Sequence, residues 1–404
     1  MMRINGQRLL ADLRELARIG AFKTGVDRIA LSAEDIEARR WLLGKLAAAG
    51  LTASMDRVGN VIGRDPKAAK AILVGSHTDT VPRGGWLDGA LGVCYALEIA
   101  RSAIEANAPH ATGIDVVSFE DEEGTYLPFL GSRSFFGELD DHEITTAKSK
   151  DGAALAPALA RIAAEPPPHR FDAGRYVGYL EAHIEQGPRM EAGGNRIAVV
   201  TGLVGIKRFR VVSHGSANHG GTTPMAMRKD AGAALIALAA GFAEDMRRLA
   251  GHDTVWNIGN MTFRPGVANI VPGEGEMLLE FRDIDAAVMD RAAERFRERV
   301  AQAGRGSVRI EVEEIADLAP TALAPHLGAA IAQAAAARGE TPVSLASGAG
   351  HDAMIAARYM PAAMMFIPSI GGVSHDITEN TSDDDIVFGC EVLADAVSTL
   401  RQEA

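Results

Sequence analysis

Ala71-Ile72-Leu73-Val74-Gly75-Ser76-His77-Thr78-Asp79-Thr80 is an apolar run that ends abruptly in polar residues. A strand buried on both faces of a parallel sheet has this profile, and its carboxyl end is where such sheets place their ligands. The stretch therefore predicts a central strand of an α/β sheet, with His77 at its functional end. Asp79, two residues on, can return to the far imidazole nitrogen and fix the tautomer and ring angle, as carboxylates behind metal-bound histidines do.

Working outward, the next polar punctuation is Gly84-Gly85-Trp86-Leu87-Asp88-Gly89, followed by a run with helical apolar spacing from Ala90 to about Ala106. Asp88 thus falls on a tight turn entering a helix, where a short carboxylate can reach two metals at once. A second strand, Ile114 to Phe119, runs into four consecutive acids, Glu120-Asp121-Glu122-Glu123, before Gly124. Crowded carboxylates repel unless protons or a cation neutralise them. One of the four can ligate a metal while its neighbour stays free to move protons. Tyr179 to Pro188 carries His183, and Gly371-Gly372-Val373-Ser374-His375 follows the strand around Met364 to Ile367. Candidate ligands drawn from five separated segments imply a preformed cleft, not a local zinc finger.

The ordered set His77-Thr-Asp79-Thr80, Leu87-Asp88-Gly89, Glu122-Glu123-Gly124, His183-Ile-Glu185-Gln186-Gly187-Pro188, Asn218-His219-Gly220-Gly221-Thr222-Thr223-Pro224-Met225, Asn269-Ile-Val-Pro-Gly273 and Ser374-His375 resembles the M20-type metal-dependent amidases. The resemblance lies in the hydantoinase/carbamoylase branch of N-carbamoyl-L-amino-acid hydrolases, beta-ureidopropionases and allantoate amidohydrolases. It implies two divalent ions, with His77 and His183 on one, Glu123 and His375 on the other, and Asp88 bridging. It also implies Glu122 as general base, and His219 reaching across a homodimer interface to the reacting carbonyl. Asn269 and Arg282 match positions that grip a substrate carboxylate. Gln186 and the Gly348 to Gly350 backbone are further expected substrate contacts. The chain departs from many relatives after His375, where it reads Asp376-Ile-Thr-Glu379-Asn380 without their proline and acidic spacing.

With 404 residues and 47% hydrophobic content, the chain can bury a large core and exceeds the usual size of one domain. Strands at about 52–63, 71–76 and 113–120 alternate with helices, one of them capped by Ser32 and stopped at Gly50. This predicts a doubly wound, mixed-sheet α/β catalytic domain over 1–206 and 320–404. Between them, 207–319 reads strand, helix, strand, strand, helix, strand. That is an inserted α+β lid or dimerisation domain with a four-stranded sheet and two helices, one of them expected over 226–249. The segment 138–176, with Pro166-Pro-Pro168, is expected to wrap over the cleft.

A formal net charge of −12, with no basic run, argues against nucleic-acid or anionic-membrane partners. The N-terminus lacks a signal-peptide core, no apolar run reaches the roughly 18 to 20 residues of a membrane span, and the two cysteines make no disulfide framework. A cytoplasmic enzyme is expected. His351-Asp352 reads as structural support because no Gly-flanked nucleophilic serine accompanies it, and His110, His142, His169, His214, His252 and His326 read as surface residues.

Histidine and carboxylate ligands suit zinc, manganese, cobalt or nickel alike. The leading reading is hydrolysis of an N-carbamoyl-L-amino acid to the amino acid, carbon dioxide and ammonia. Allantoate or ureidoglycolate amidohydrolase and a dipeptidase-like amidase are alternatives in the same chemistry. A non-catalytic metal-binding homologue is the alternative from another class, against which the intact Glu122 speaks.

Overall fold

The computed structural model describes residues 2–107, 111–162, 169–304 and 306–403. His110 and Pro166 to Pro168 lie outside the described residues. The chain forms two compact units, Met1–Thr201 with Ala322–Ala404, and Gly202–Thr321.

The first unit is built on a mixed sheet whose centre is four parallel strands, in the order Ala362–Ile367, Tyr176–Ile184, Lys70–His77 and Thr112–Phe119. Every residue of Lys70–His77 but the first is buried, as is every residue of Thr112–Phe119. The near-continuous apolar runs are therefore explained by cover on both faces. Antiparallel strands extend both sides: Val61–Arg64 pairs with Thr112–Phe119, and Ala198–Leu203 pairs with Ala362–Ile367.

The stretch expected as one strand over 52–63 is a hairpin, Thr52–Met55 against Val61–Arg64. Asp56 makes the turn, its carboxylate taking the backbone N–H groups of Val58 and Asn60. An Asx-type turn of this kind offers the backbone an alternative to a continuous ladder.

Helix Ala33–Ala48 begins where Ser32 accepts the N–H of Asp35, as the capping pattern predicts. Helix Ala90–Ala106 follows the Asp88 turn and buries nearly all of its first three turns. It packs with the C-terminal helix Asp383–Glu403 into the larger apolar core.

The second unit is a four-stranded antiparallel sheet in the order Val255–Arg264, Glu274–Asp283, Gly205–His214, Arg309–Leu318. Helices Ala231–Leu249 and Ala286–Ala303 cover it around Phe209, Phe242, Phe281 and Phe296. The first helix starts at Ala231, not 226, because Asp230 caps it by accepting the N–H of Ala233. Among the described residues no helix is long and apolar enough to cross a membrane.

Candidate metal centre

Each of the four parallel strands delivers one candidate ligand at its carboxyl end. His77 closes Lys70–His77, His183 lies one residue from the end of Tyr176–Ile184, Glu123 follows Thr112–Phe119, and His375 follows Ala362–Ile367. Asp88 enters from the turn before Ala90–Ala106. Gly89 makes that turn possible: it sits at φ +64, and a Cβ there would stand 2.4 Å from His77 Nε2.

Two sets result, His77 with Asp88 and His183, and Asp88 with Glu123 and His375. Within each set the ligand atoms lie within 4.8 Å of one another. Asp88 Oδ1 faces His183 Nε2 at 3.0 Å and His77 Nε2 at 3.8 Å, while Oδ2 faces His375 Nε2 at 3.2 Å. Glu123 Oε1 lies 3.6 Å from His375 Nε2. Glu122 belongs to neither set and holds its Oε2 3.7 Å from His77 Nε2.

The geometry fits divalent ions. His77 donates Nδ1–H to the carbonyl of Asp79 (3.0 Å), and His183 donates its own to the carbonyl of Ile184 (2.9 Å). Each Nε2 therefore turns toward a carboxylate oxygen, and two acceptors face each other unless a proton or a cation stands between them. Glu123 Oε1 is buried without a hydrogen-bond partner, which a native site retains only for a purpose.

The side chains by themselves answer this crowding with protons. Burial, and then repulsion by Glu123 and Asp352, hold Glu122 well above the usual carboxylate range. Burial and then Asp88 push Glu123 up to about 8. Burial opposes charge on His183, but its hydrogen bond and attraction to Asp88 raise it to about 9. His375 rises to about 9, first through its hydrogen bond with Asp88. Burial works against ionised Asp88 too, yet the bonds from His183 and His375 carry it well below its ordinary value. His77, as deeply buried as His183 but without a close bond to Asp88, is pushed down to about 4 by burial.

Several sequence expectations change in detail. The group behind His77 is the Asp79 backbone carbonyl; the Asp79 carboxylate stands 3.7 Å from Nδ1, pairs with Arg39 at 3.6 Å and accepts the N–H of Glu123 at 3.3 Å. Gln186, expected on substrate, donates Nε2–H to Asp88 Oδ2 at 3.1 Å. His351 lies with its ring 4.5 Å from that of His183 and bonds Ser347 Oγ at 3.1 Å, so it packs directly on a candidate ligand. His169 is no loose surface residue: it is half-buried and bonds Ser54 Oγ at 3.1 Å. Gly348 is exposed, with open space where a Cβ would stand. The segment after 138 reaches the edge of this site, since Ser149 and Lys150 share a cavity of about 510 Å³ with Glu123 and Tyr126.

In the second unit, Asn218–His219 pairs with Ile270–Val271, and Gly220 N–H bonds the carbonyl of Asn269 at 2.7 Å. His219 and Asn269 therefore stand on adjoining turns, both exposed. His219 Nδ1 accepts the N–H groups of Gly221 and Thr222 at 3.0 and 3.1 Å, which leaves the proton on the outward Nε2. Arg282 is half-buried and bonds Glu280 through Nε at 2.7 Å.

Residues 73–399 match Peptidase family M20/M25/M40. The chain belongs to that family. This M20-family chain is accordingly a hydrolase of amide bonds. It is 34% identical over 416 residues to the N-carbamoyl-L-amino-acid amidohydrolase of Paenarthrobacter aurescens, covering 99% of both chains. It is 32% identical over 378 residues to the allantoate amidohydrolase of Escherichia coli (strain K12), covering 92% of both. A crystal structure of an amidase of the hydantoinase/carbamoylase family from Burkholderia phymatum is similar to it with 43% identity and a TM-score of 0.91, over 100% of this chain and 99% of that one.

Three supporting residues escaped the sequence. Glu181 accepts Ser76 Oγ at 2.6 Å and Ala353 N–H at 2.9 Å, fully buried beneath the histidines. Its place two residues before His183 on a strand, hence on the same face, was the available signal. Arg39 is fully buried among Asp35, Asp79 and Glu120, at 3.0, 3.6 and 2.6 Å. Glu379 holds the Asp88 turn.

Proposed function

We propose that this chain hydrolyses the ureido or amide bond of a small N-carbamoyl-L-amino acid, releasing the amino acid, carbon dioxide and ammonia. The observation that carries the reading is the pair of ligand sets sharing Asp88, with Glu122 beside them and in neither, in a chain similar end to end to an N-carbamoyl-L-amino-acid amidohydrolase.

In this reading His77, His183 and Asp88 hold one divalent ion, and Asp88, Glu123 and His375 hold a second. Zinc, manganese, cobalt and nickel all suit these donors. Such ions would supply a water acidified toward a pKa of about 7 and would polarise the carbonyl. Glu122, in neither ligand set, is placed to accept a proton from an attacking water and to pass one to the leaving nitrogen. Gln186 holds Asp88 Oδ2 in place. His219 of a second copy in a homodimer offers its Nε2–H to the developing oxyanion, as its tautomer permits. Asn269 and Arg282 bind the substrate carboxylate, where a guanidinium adds two parallel hydrogen bonds. The two cysteines are buried free thiols, which suits the reducing cytoplasm.

The second reading is an allantoate amidohydrolase, favoured by the relatives of that name. Ammonia release from N-carbamoyl-L-amino acids, N-carbamoyl-beta-alanine and allantoate, each with added zinc or manganese, decides between them. The first reading expects the N-carbamoyl-L-amino acids to lead in kcat/KM; a lead for allantoate overturns it in favour of the second.

A further inference from the structure

The segment after His375 finds its use at Glu379. This carboxylate is buried, with 2% of its surface exposed. Its Oε1 accepts the backbone N–H groups of both Leu87 (3.1 Å) and Asp88 (3.0 Å), and its Oε2 accepts the hydroxyl of Ser374 (2.9 Å). One side chain thus ties the turn that presents Asp88, 291 positions before it in sequence, to the residue preceding His375.

Both tied segments need holding. His375 stands at φ +55, in the left-handed region a non-glycine residue rarely occupies, and Gly371 and Gly372, just upstream of Val373 and Ser374, are left-handed too. Asp88 has to keep two oxygens aimed at opposite ligand sets, and the direction of its side chain is set by the backbone that Glu379 grips. The space for the carboxylate comes from Gly85, where a Cβ would stand 1.9 Å from Glu379 Oε1.

We propose that Glu379 is a positioning residue of the metal centre: by bracing the Asp88 turn and the His375 loop together, it fixes the separation of the two ligand sets. The inference rests on the reading that Asp88 and His375 bind metal, and a wild-type chain that bound none would remove that reading before this one. Outer partners of metal ligands commonly change affinity 10- to 100-fold, which sets the expected size.

The test is zinc titration of the full-length chain against a chelating indicator, which reads affinity without turnover. Glu379→Ala is expected to weaken at least one binding step about 10-fold or more. Glu379→Gln is expected to stay near wild type, because its amide oxygen can accept both N–H groups and its amide nitrogen can donate to Ser374. Gly85→Ala, which displaces the carboxylate without altering it, is expected to reproduce the loss. Glu379→Ala or Gly85→Ala binding both ions as tightly as wild type overturns the proposal. So does a glutamine variant as weak as alanine, since charge and not bracing would then be the cause. Should the alanine variants not fold, Glu379→Asp takes their place: one methylene shorter, it cannot reach both segments, and wild-type affinity in that variant overturns the inference.

Discussion

Replacing Glu122 by glutamine separates proton transfer from metal binding. The side chain keeps its shape, and since Glu122 lies outside both ligand sets, all five candidate ligands, Asp88 among them, remain. The substitution also removes one of several carboxylates whose mutual repulsion, together with burial, holds Glu122 and Glu123 above their ordinary range. The ligand set is therefore relieved, not strained, and metal content should stay near wild type. What disappears is the carboxylate proposed to take a proton from water and return it to nitrogen. General acid–base catalysis of this kind contributes on the order of 10² to 10⁴ in rate, or about 3 to 5 kcal/mol of barrier at about 1.4 kcal/mol per tenfold. Elemental analysis of the dialysed protein, paired with ammonia release at saturating substrate, reads both quantities. A variant that retained more than about a tenth of the wild-type rate would refute the base assignment. A variant that lost its metal would show that Glu122 is a ligand.

Asp88→Ala should lose activity together with at least one ion, because both sets share that residue; two fully occupied sites in the variant would end the bridging assignment. The metal-free chain should lose stability as pH rises from 6.5 to 9. Glu123, raised from 4.5 to about 8, and His183 and His375, raised from 6.5 to about 9, all stabilise the fold in their protonated forms and lose that contribution as pH climbs through their folded values. Urea melts at three pH values check the slope, added zinc should flatten it, and a metal-free profile that rose over this window would contradict the sign. Mixing His219→Ala with Glu122→Gln should restore activity to up to about half the active sites of hybrid dimers, one site in each receiving an intact base and an intact donated histidine. No recovery, with subunit exchange shown by native mass spectrometry, would mean that His219 does not act across subunits.

Most candidate ligands sit where a local pattern changes: His77 and the acid run end buried strands, Asp88 opens a helix, and His375 follows paired glycines. No one of these windows makes a metal site; their order along the chain, which resembles that of the M20-type amidases, joined them and His183 into one expected set. The supporting shell was not legible, since what makes its charges tolerable lies far away in sequence. Arg39 reads as the ordinary i,i+4 partner of Asp35 on a helix surface, yet its companions Asp79 and Glu120 lie 40 and 81 positions on and draw it fully into the interior. Only the folded sheet reveals that those acids need a cation there, and burying them without one would be costly. The four consecutive acids show most clearly what the fold adds. Glu120 pairs with Arg39, and Asp121 is consumed by the backbone N–H groups of Thr125, Tyr126 and Leu127 at 2.6 to 2.9 Å. Glu123 turns to His375, while Glu122 faces His77 outside either ligand set. A run that reads as uniform repulsion is thus divided into an ion pair, a turn, a candidate ligand and a candidate base. Immediately past the strand, the first two acids are fully buried on their own partners, and the next two face the histidines at the strand ends.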